Sequence, residues 1–200
     1  MSNRPDSPSN GLKPCVFIDR DGVITVDVGY CNHPDRLELL PGAAEAIRRI
    51  NQAGMLAIVM TNQSGVARGI FTEDVLALIH QRMHELLAEG GARVDALYYA
   101  PFHKTAADPR YRDDPDQMRK PGIGMIRKAC SDFPIDMARA WMIGDKPGDI
   151  EFARNAGIPG VMVKTGYGLG EIQFKRDEWK VQPTVIVENI GEAVDWILKQ

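Results

Sequence analysis

No stretch of the 200 residues stays apolar for the ~18 positions that a membrane span needs. The first thirteen residues carry Pro5, Pro8, Ser and Asn without an apolar core, so 1–13 read as a disordered leader and not as a signal peptide. Cysteine is scarce and odd in number. Cys15, Cys31 and Cys130 stand far apart without a Cys-x-x-Cys pairing, which argues against a disulfide framework and a cysteine-based zinc site. These lacks point to the cytoplasm. Aromatic residues make up 7% and the formal net charge is −3, so a basic, aromatic-rich groove for nucleic acid is not indicated. The expectation is one domain over 14–200, monomeric, with a small partner and neither nucleic acid nor membrane.

What is present begins with Cys15-Val16-Phe17-Ile18-Asp19-Arg20-Asp21-Gly22-Val23-Ile24, an apolar run that ends abruptly in Asp-x-Asp-Gly. It reads as a buried parallel strand that delivers Asp19 and Asp21 into the crevice where open α/β sheets bind ligands. Strand side chains repeat every two residues, so both carboxylates start on one side, and Gly22 permits a sharp turn. Paired carboxylates there suit a hard cation such as Mg²⁺, although Asp-x-Asp also occurs in solvated turns.

Further strand tips follow. Residues 55–60 form an apolar strand ending in Thr61-Asn62-Gln63-Ser64-Gly65, whose hydroxyls and amides offer donors to a phosphate oxygen. Arg119-Lys120-Pro121 places two cations before a helix through Ile123, Ile126 and Cys130, with Pro in its first turn. Residues 140–145 form a strand ending in Asp145, and Lys146-Pro147-Gly148-Asp149 opens a helix to Ala156. Strands at 94–99, 157–163 and 184–187 alternate with helices after Gly42, after Thr72 and through Ile190, Val194 and Ile197. That alternation predicts an α/β fold with a doubly wound, mostly parallel Rossmann-like sheet.

Between these elements, 23–33 suggest a flap hairpin over the first strand tip, and 100–119 form a long polar loop of the kind that is usually functional. In the helix after Thr72, Val75, Ile79, Met83 and Leu86 make the expected buried stripe, which leaves His80 and His84 as surface histidines. Gly166, Gly168 and Gly170 lack dinucleotide-loop spacing and read as flexible loop.

Asp19 with Asp21, Thr61, Lys120, and Asp145 with Asp149, in that order, resemble the four motifs of the haloacid dehalogenase superfamily of phosphatases, over about residues 16–163. The resemblance implies that Asp19 is a nucleophile forming an aspartyl-phosphate and that Asp21 is a general acid and base able to hold a proton near neutrality. It also implies Mg²⁺ on Asp19, on the backbone carbonyl of Asp21 and on Asp145, with Thr61 and Lys120 on the phosphoryl oxygens.

Longer matches narrow the family. Residues 17–24, 26–30 and 61–69, Tyr98-Tyr99, Arg119-Lys120-Pro121 and Gly144-Asp145-Lys146 resemble the D-glycero-D-manno-heptose 1,7-bisphosphate 7-phosphatases; histidinol-phosphate phosphatases are similar in the same motifs. The implied partner is a small phosphorylated sugar, in activated-heptose biosynthesis for bacterial surface polysaccharide. The implied substrate contacts are Arg20, Asp27, Val28, Gly29, Tyr30, Asn62, Gln63, Ser64, Arg119 and Lys146. The family often carries a structural zinc on Cys-x-His and Cys-x-Cys; those places here are Ala100, Phe102, Asp116 and Met118, so zinc is not expected. The spans 22–60 and 62–119 are filled by the elements above, which leaves no room for a separate cap domain. A histidinol-phosphate phosphatase, a broad sugar-phosphate phosphatase and a non-catalytic phosphate-binding module remain as alternatives.

Overall fold

Two-residue alternation sorts the apolar strand residues onto the two faces of one parallel sheet. The computed structural model describes residues 11–200. Its strands are β1 (Lys13–Ile18), β2 (Leu56–Asn62), β3 (Ala96–Ala100), β4 (Ile135–Gly144), β5 (Gly160–Val163) and β6 (Val185–Val187), in the order β3-β2-β1-β4-β5-β6. Every neighbouring pair is parallel. From β1, Val16 and Ile18 pack into the layer formed by α1 (Ala43–Gln52), α2 (Glu73–Glu89) and α6 (Ile190–Ile197). Cys15 and Phe17 face the opposite layer, with Met125 and Ile126 of α3 (Gly124–Asp132) and Phe152 of α4 (Pro147–Asn155). Phe17 is fully buried, and truncating such a residue to Ala costs roughly 3–5 kcal/mol.

The chain leaves β1 toward β2 and β3, then returns to the other side of β1 for β4. The strand order therefore reverses between β1 and β4, and the crevice beyond their C-terminal ends is where such sheets bind ligands. Among the described residues no helix is long and apolar enough to cross a membrane. The leader expected over 1–13 has its first ten positions outside the described residues, and Lys13 already belongs to β1.

Several local expectations are corrected. No hairpin forms within 23–33; Val26 N–H donates to Glu38 O and Leu40 N–H to Ile24 O, both at 2.9 Å. The returning segment is thus 38–40, bridged at Leu39 to Thr25, and 27–37 between them form one loop with a 3-10 turn at Pro34–Arg36. β4 starts at Ile135, five residues earlier than its apolar run, because Ile135 pairs with Lys13 across an irregularity and the intervening Asp136 and Arg139 interrupt the pattern. α3 begins at Gly124, so Pro121 precedes it and does not form its first turn. The glycine-rich segment expected as loop is α5 (Gly168–Phe174).

The buried stripe of α2 is Leu76, Ile79, His80, Met83 and Leu87, rotated from the expected one so that it takes His80 inside. His84 is exposed, whereas the His80 ring lies 5.7 Å from that of Tyr99. Burial, reinforced by the charge of Arg20, holds His80 down at about 3. The unfolded chain binds this proton near pH 6.5 and the folded one does not, so stability is full above about 6.5 and falls as pH drops toward 3. Urea unfolding of wild type and His80→Gln is expected to show their stability difference changing by about 2 kcal/mol between pH 7 and pH 5, in favour of the variant at low pH. A pH-independent difference would mean that His80 titrates in the fold as it does in the unfolded chain.

Candidate active site

Asp19 immediately follows β1, and its N–H still donates to Ile143 O of β4 at 3.0 Å, which seats the residue where the strand order reverses. Its Oδ1 accepts from Arg20 N–H at 2.8 Å and lies 2.9 Å from Lys120 Nζ. That ammonium also lies 2.6 Å from Asp149 Oδ1. Lys120 arrives from the long loop and is locked by the tip of β2: its N–H donates to Asn62 Oδ1 at 2.9 Å and its carbonyl accepts from Asn62 Nδ2 at 3.2 Å. Both polar atoms of the Asn62 amide are thereby engaged with the backbone of Lys120. Asn62, expected as a substrate contact, thus also positions Lys120.

Asp21 is held differently. Arg20 Nε and Nη2 donate to its Oδ1 at 3.1 and 2.9 Å, Nη2 also reaches Oδ2 at 2.8 Å, and Gln63 Nε2 donates to Oδ2 at 2.8 Å. Gln63 Nε2 also donates to Thr61 Oγ1 at 2.8 Å, tying the two strand tips together. Arg20, expected as a substrate contact, is 1% exposed with its guanidinium turned onto Asp21. Burial pushes the Asp21 carboxyl up, but the Arg20 charge and hydrogen bonds, with Gln63, outweigh it and leave the group below the ordinary carboxylate value. A proton held near neutrality is thus not a property of Asp21 in this state.

Asp145 follows β4 and is wholly buried. Its Oδ2 accepts from Tyr167 N–H at 2.8 Å, while its Oδ1 has no hydrogen-bond partner. Gly22 and Gly166 make this placement possible: both have positive φ, +85° and +58°, and a Cβ on either would fall 2.3 Å from Asp145 Oδ2. Oxygens of Asp19, Asp145 and Asp149 lie within 4.8 Å of one another. Burial, and then the charge of Asp19, push Asp145 up to about 8; burial also pushes Asp19 up to about 6 against the pull of Lys120. Three crowded carboxylates, one with an orphaned buried oxygen, are a donor set that a hard divalent cation fits. Asp149 is the least free of them, since its Oδ2 also accepts from Lys146 N–H at 3.1 Å and caps α4. Its role as the counter-ion of Lys120 was missed from the sequence, although an acid in the first turn after Lys146-Pro147 is a recognisable capping signal.

Above the acids is a cavity of about 230 Å³, bounded by Asp19, Asp21 and Thr61 on one side and Arg119, Lys120 and Lys146 on the other. A second cavity of about 250 Å³ shares Asp21, Asn62 and Lys146 with it and adds Asp27, Gly29, Tyr30, Gln63 and Ser64. Of the expected contacts, Val28 is exposed on the flap but lines neither cavity. Lys146 Nζ bridges the two spaces, 3.0 Å from Asp27 Oδ2 and 4.6 Å from the centre of the Tyr167 ring. The loop 100–119 contributes Arg119 and, beyond the rim, His103, whose Nε2 lies 3.0 Å from Arg68 Nη2.

A HAD-hydrolase-like family model matches residues 117–193. The chain is 40% identical over 188 residues, 92% of itself and 95% of the relative, to D-glycero-D-manno-heptose-1,7-bisphosphate 7-phosphatase of Thermosynechococcus vestitus. It is 35% identical to D-glycero-beta-D-manno-heptose-1,7-bisphosphate 7-phosphatase of Vibrio cholerae, covering 94% of itself and 97% of that protein. Among solved structures, it matches D,D-heptose 1,7-bisphosphate phosphatase from B. bronchiseptica, complexed with magnesium and phosphate, at a TM-score of 0.80 and 32% identity, covering 93% of this chain and 98% of that one.

The glycine cradle under Asp145 is open to a direct test. Gly22→Ala forces an L side chain into positive φ and into the carboxylate, and is expected to lower stability by about 1–3 kcal/mol and to abolish most metal binding. Denaturant melts and Mg²⁺ titration calorimetry check both. Wild-type affinity in the variant would show that the cradle is not required.

Proposed function

Because the chain belongs to the D-glycero-D-manno-heptose 1,7-bisphosphate 7-phosphatase family of haloacid-dehalogenase-like hydrolases, we propose that it removes the 7-phosphate of that bisphosphate. We place this step in cytoplasmic synthesis of activated heptose for a bacterial surface polysaccharide, with the protein acting as a monomer on a small sugar. The observation that carries the reading is the buried Asp19 carboxylate on the wall of a phosphate-sized cavity, 2.9 Å from Lys120.

In this reading Asp19 is the nucleophile. One of its oxygens attacks phosphorus in line, the bond from phosphorus to the sugar oxygen breaks, and an aspartyl-phosphate forms. Asp21 delivers a proton to the departing alkoxide, then takes one from the water that attacks the aspartyl-phosphate and releases inorganic phosphate. A phosphate dianion beside Asp21 opposes the Arg20 charge and favours the protonated carboxyl that the first step needs. Thr61 and Lys120 hold phosphoryl oxygens. Asp19, the Asp21 carbonyl and Asp145 would hold Mg²⁺, which would supply positive charge against the phosphoryl group that otherwise repels an anionic nucleophile.

The second cavity takes the sugar, with Asp27, Gln63, Ser64 and Lys146 toward its hydroxyls. Arg119, with Arg68 nearby, supplies positive potential for the phosphate that stays on the product. Among the described residues no cap encloses the site, so water reaches the aspartyl-phosphate and hydrolysis wins over transfer to another sugar.

Phosphate release is to be measured from heptose 1,7-bisphosphate, histidinol phosphate and an aryl phosphate, each with Mg²⁺ and with EDTA. The expected result is strong preference for the heptose, lost in EDTA; equal slow rates on all three would overturn the substrate assignment. Asp19→Asn is expected to be folded and inactive, and Asp21→Asn to lose ~10² or more in kcat, the scale of a missing general acid. An active Asp19→Asn protein would remove the nucleophile from this scheme.

A further inference from the structure

We propose that Tyr167 is a specificity-determining residue, its ring forming the wall against which the carbon skeleton of a phosphorylated sugar packs beyond the phosphate cavity. This rests on the reading of the site as a sugar-phosphate phosphatase. The tyrosine stands at the start of α5, outside the four motifs that bring the acids and Lys120 together.

Its main chain is fixed from below. The N–H holds Asp145 Oδ2 at 2.8 Å, and two residues earlier Thr165 Oγ1 donates to Gly22 O at 2.6 Å, so the loop is tied to the tip of β1. The Lys146 ammonium lies over one face of the ring, 4.6 Å from its centre. Lys146 borders both cavities, and the ring lines the second of them. Yet the side chain is 53% exposed and belongs to none of the packed apolar clusters among the described residues. With one face under the ammonium and no core around it, the ring turns its remaining surface to the second cavity.

That cavity is otherwise poor in apolar surface. Asp27, Gln63, Ser64 and Lys146 supply hydrogen-bonding groups, and Tyr30 and Tyr167 are its only aromatic linings. A sugar presents both kinds of surface, hydroxyls at its edge and C–H groups on its face. Polar side chains orient the first, and an aromatic ring accepts the second while keeping its own hydroxyl wet. Small phosphate esters that end at the first cavity never reach the ring.

The experiment compares kcat/KM for heptose 1,7-bisphosphate with that for acetyl phosphate, in wild type, Tyr167→Ala and Tyr167→Phe, with circular dichroism and melting curves to establish folding. The ratio of the two constants is expected to fall about tenfold in Tyr167→Ala, mainly through KM for the bisphosphate, and to stay within about twofold in Tyr167→Phe. An unchanged ratio in Tyr167→Ala overturns the proposal, as does an equal fall in both variants, which would assign the effect to the hydroxyl. Wild type that hydrolyses acetyl phosphate but not the bisphosphate defeats the substrate reading itself, and with it the role of the ring.

Discussion

Lys120, buried between Asp19 and Asp149, is the interaction on which the rest of the site depends. Several carboxylates share one sheet edge, and desolvation alone would neutralise them or open the edge to water. One ammonium in contact with two of them draws the Asp19 carboxyl back toward its ionised form, where burial by itself would raise it further. In return the two acids hold the buried lysine charged, against the desolvation that would discharge it. Much of the surrounding structure serves to bring this lysine in: the Asn62 clamp on its backbone, and the turn closed by Asp114, which accepts from Met118 and Arg119 N–H at 2.8 and 2.7 Å.

The compensation is incomplete. Asp145 keeps an unpartnered oxygen and a pKa pushed up to about 8, because no protein cation sits on it; Lys146 comes no nearer than 3.7 Å. Asp21, by contrast, is over-compensated by Arg20. The two imbalances have opposite sign, and each is of the kind that an incoming group would relieve: a cation at the first, an anion beside the second. A site that is electrostatically satisfied only when loaded binds its ligands with energy already present in the fold.

Most of this frame was legible from the chain. Apolar runs that stop at Asp19, Thr61 and Asp145 are read correctly because a parallel strand is buried on both faces, which leaves a polar residue nowhere but its tip. Harder to read is what side chains do to one another across the sheet. Nothing in Asp19-Arg20-Asp21 says that the middle residue turns inward, yet it has the parity of Ile18, which faces the α1–α2 layer, and it stays buried there because Asp21 folds back on its guanidinium. The same parity places Asp19 with Phe17, on the side of α3 and α4 from which Asp149 comes. His80 escaped for a similar reason: its polarity suggests an outside position, but it stands four residues after Leu76 and three before Met83, so the helix carries it inward. The flap failed as a hairpin because its partner strand lies beyond a turn whose Pro34 and Asp35 looked like an end and not a middle.

The loop 100–119 is tied down by contacts spread along its length. In the family pattern soft ligands gather this loop around a metal; here Ala100 closes β3 in the core, Met118 packs against the α3–α4 layer, and the carbonyls of Phe102 and Asp116 accept from Arg119 and Arg127. Arg112 reaches back to the carbonyls of Ala106 and Ala107, and Tyr111 packs beside Val66, Phe71 and Leu76. Each bond is worth only about 0.5–1.5 kcal/mol, less than a metal centre provides, so order is spread along the loop and not concentrated at one point. Because the Asp114 turn and the Arg119 contact to Phe102 belong to the same network, ordering this loop and aiming Arg119 at the cavity rim are a single event. A segment built to hold itself together also holds out the cation that a second phosphate would meet.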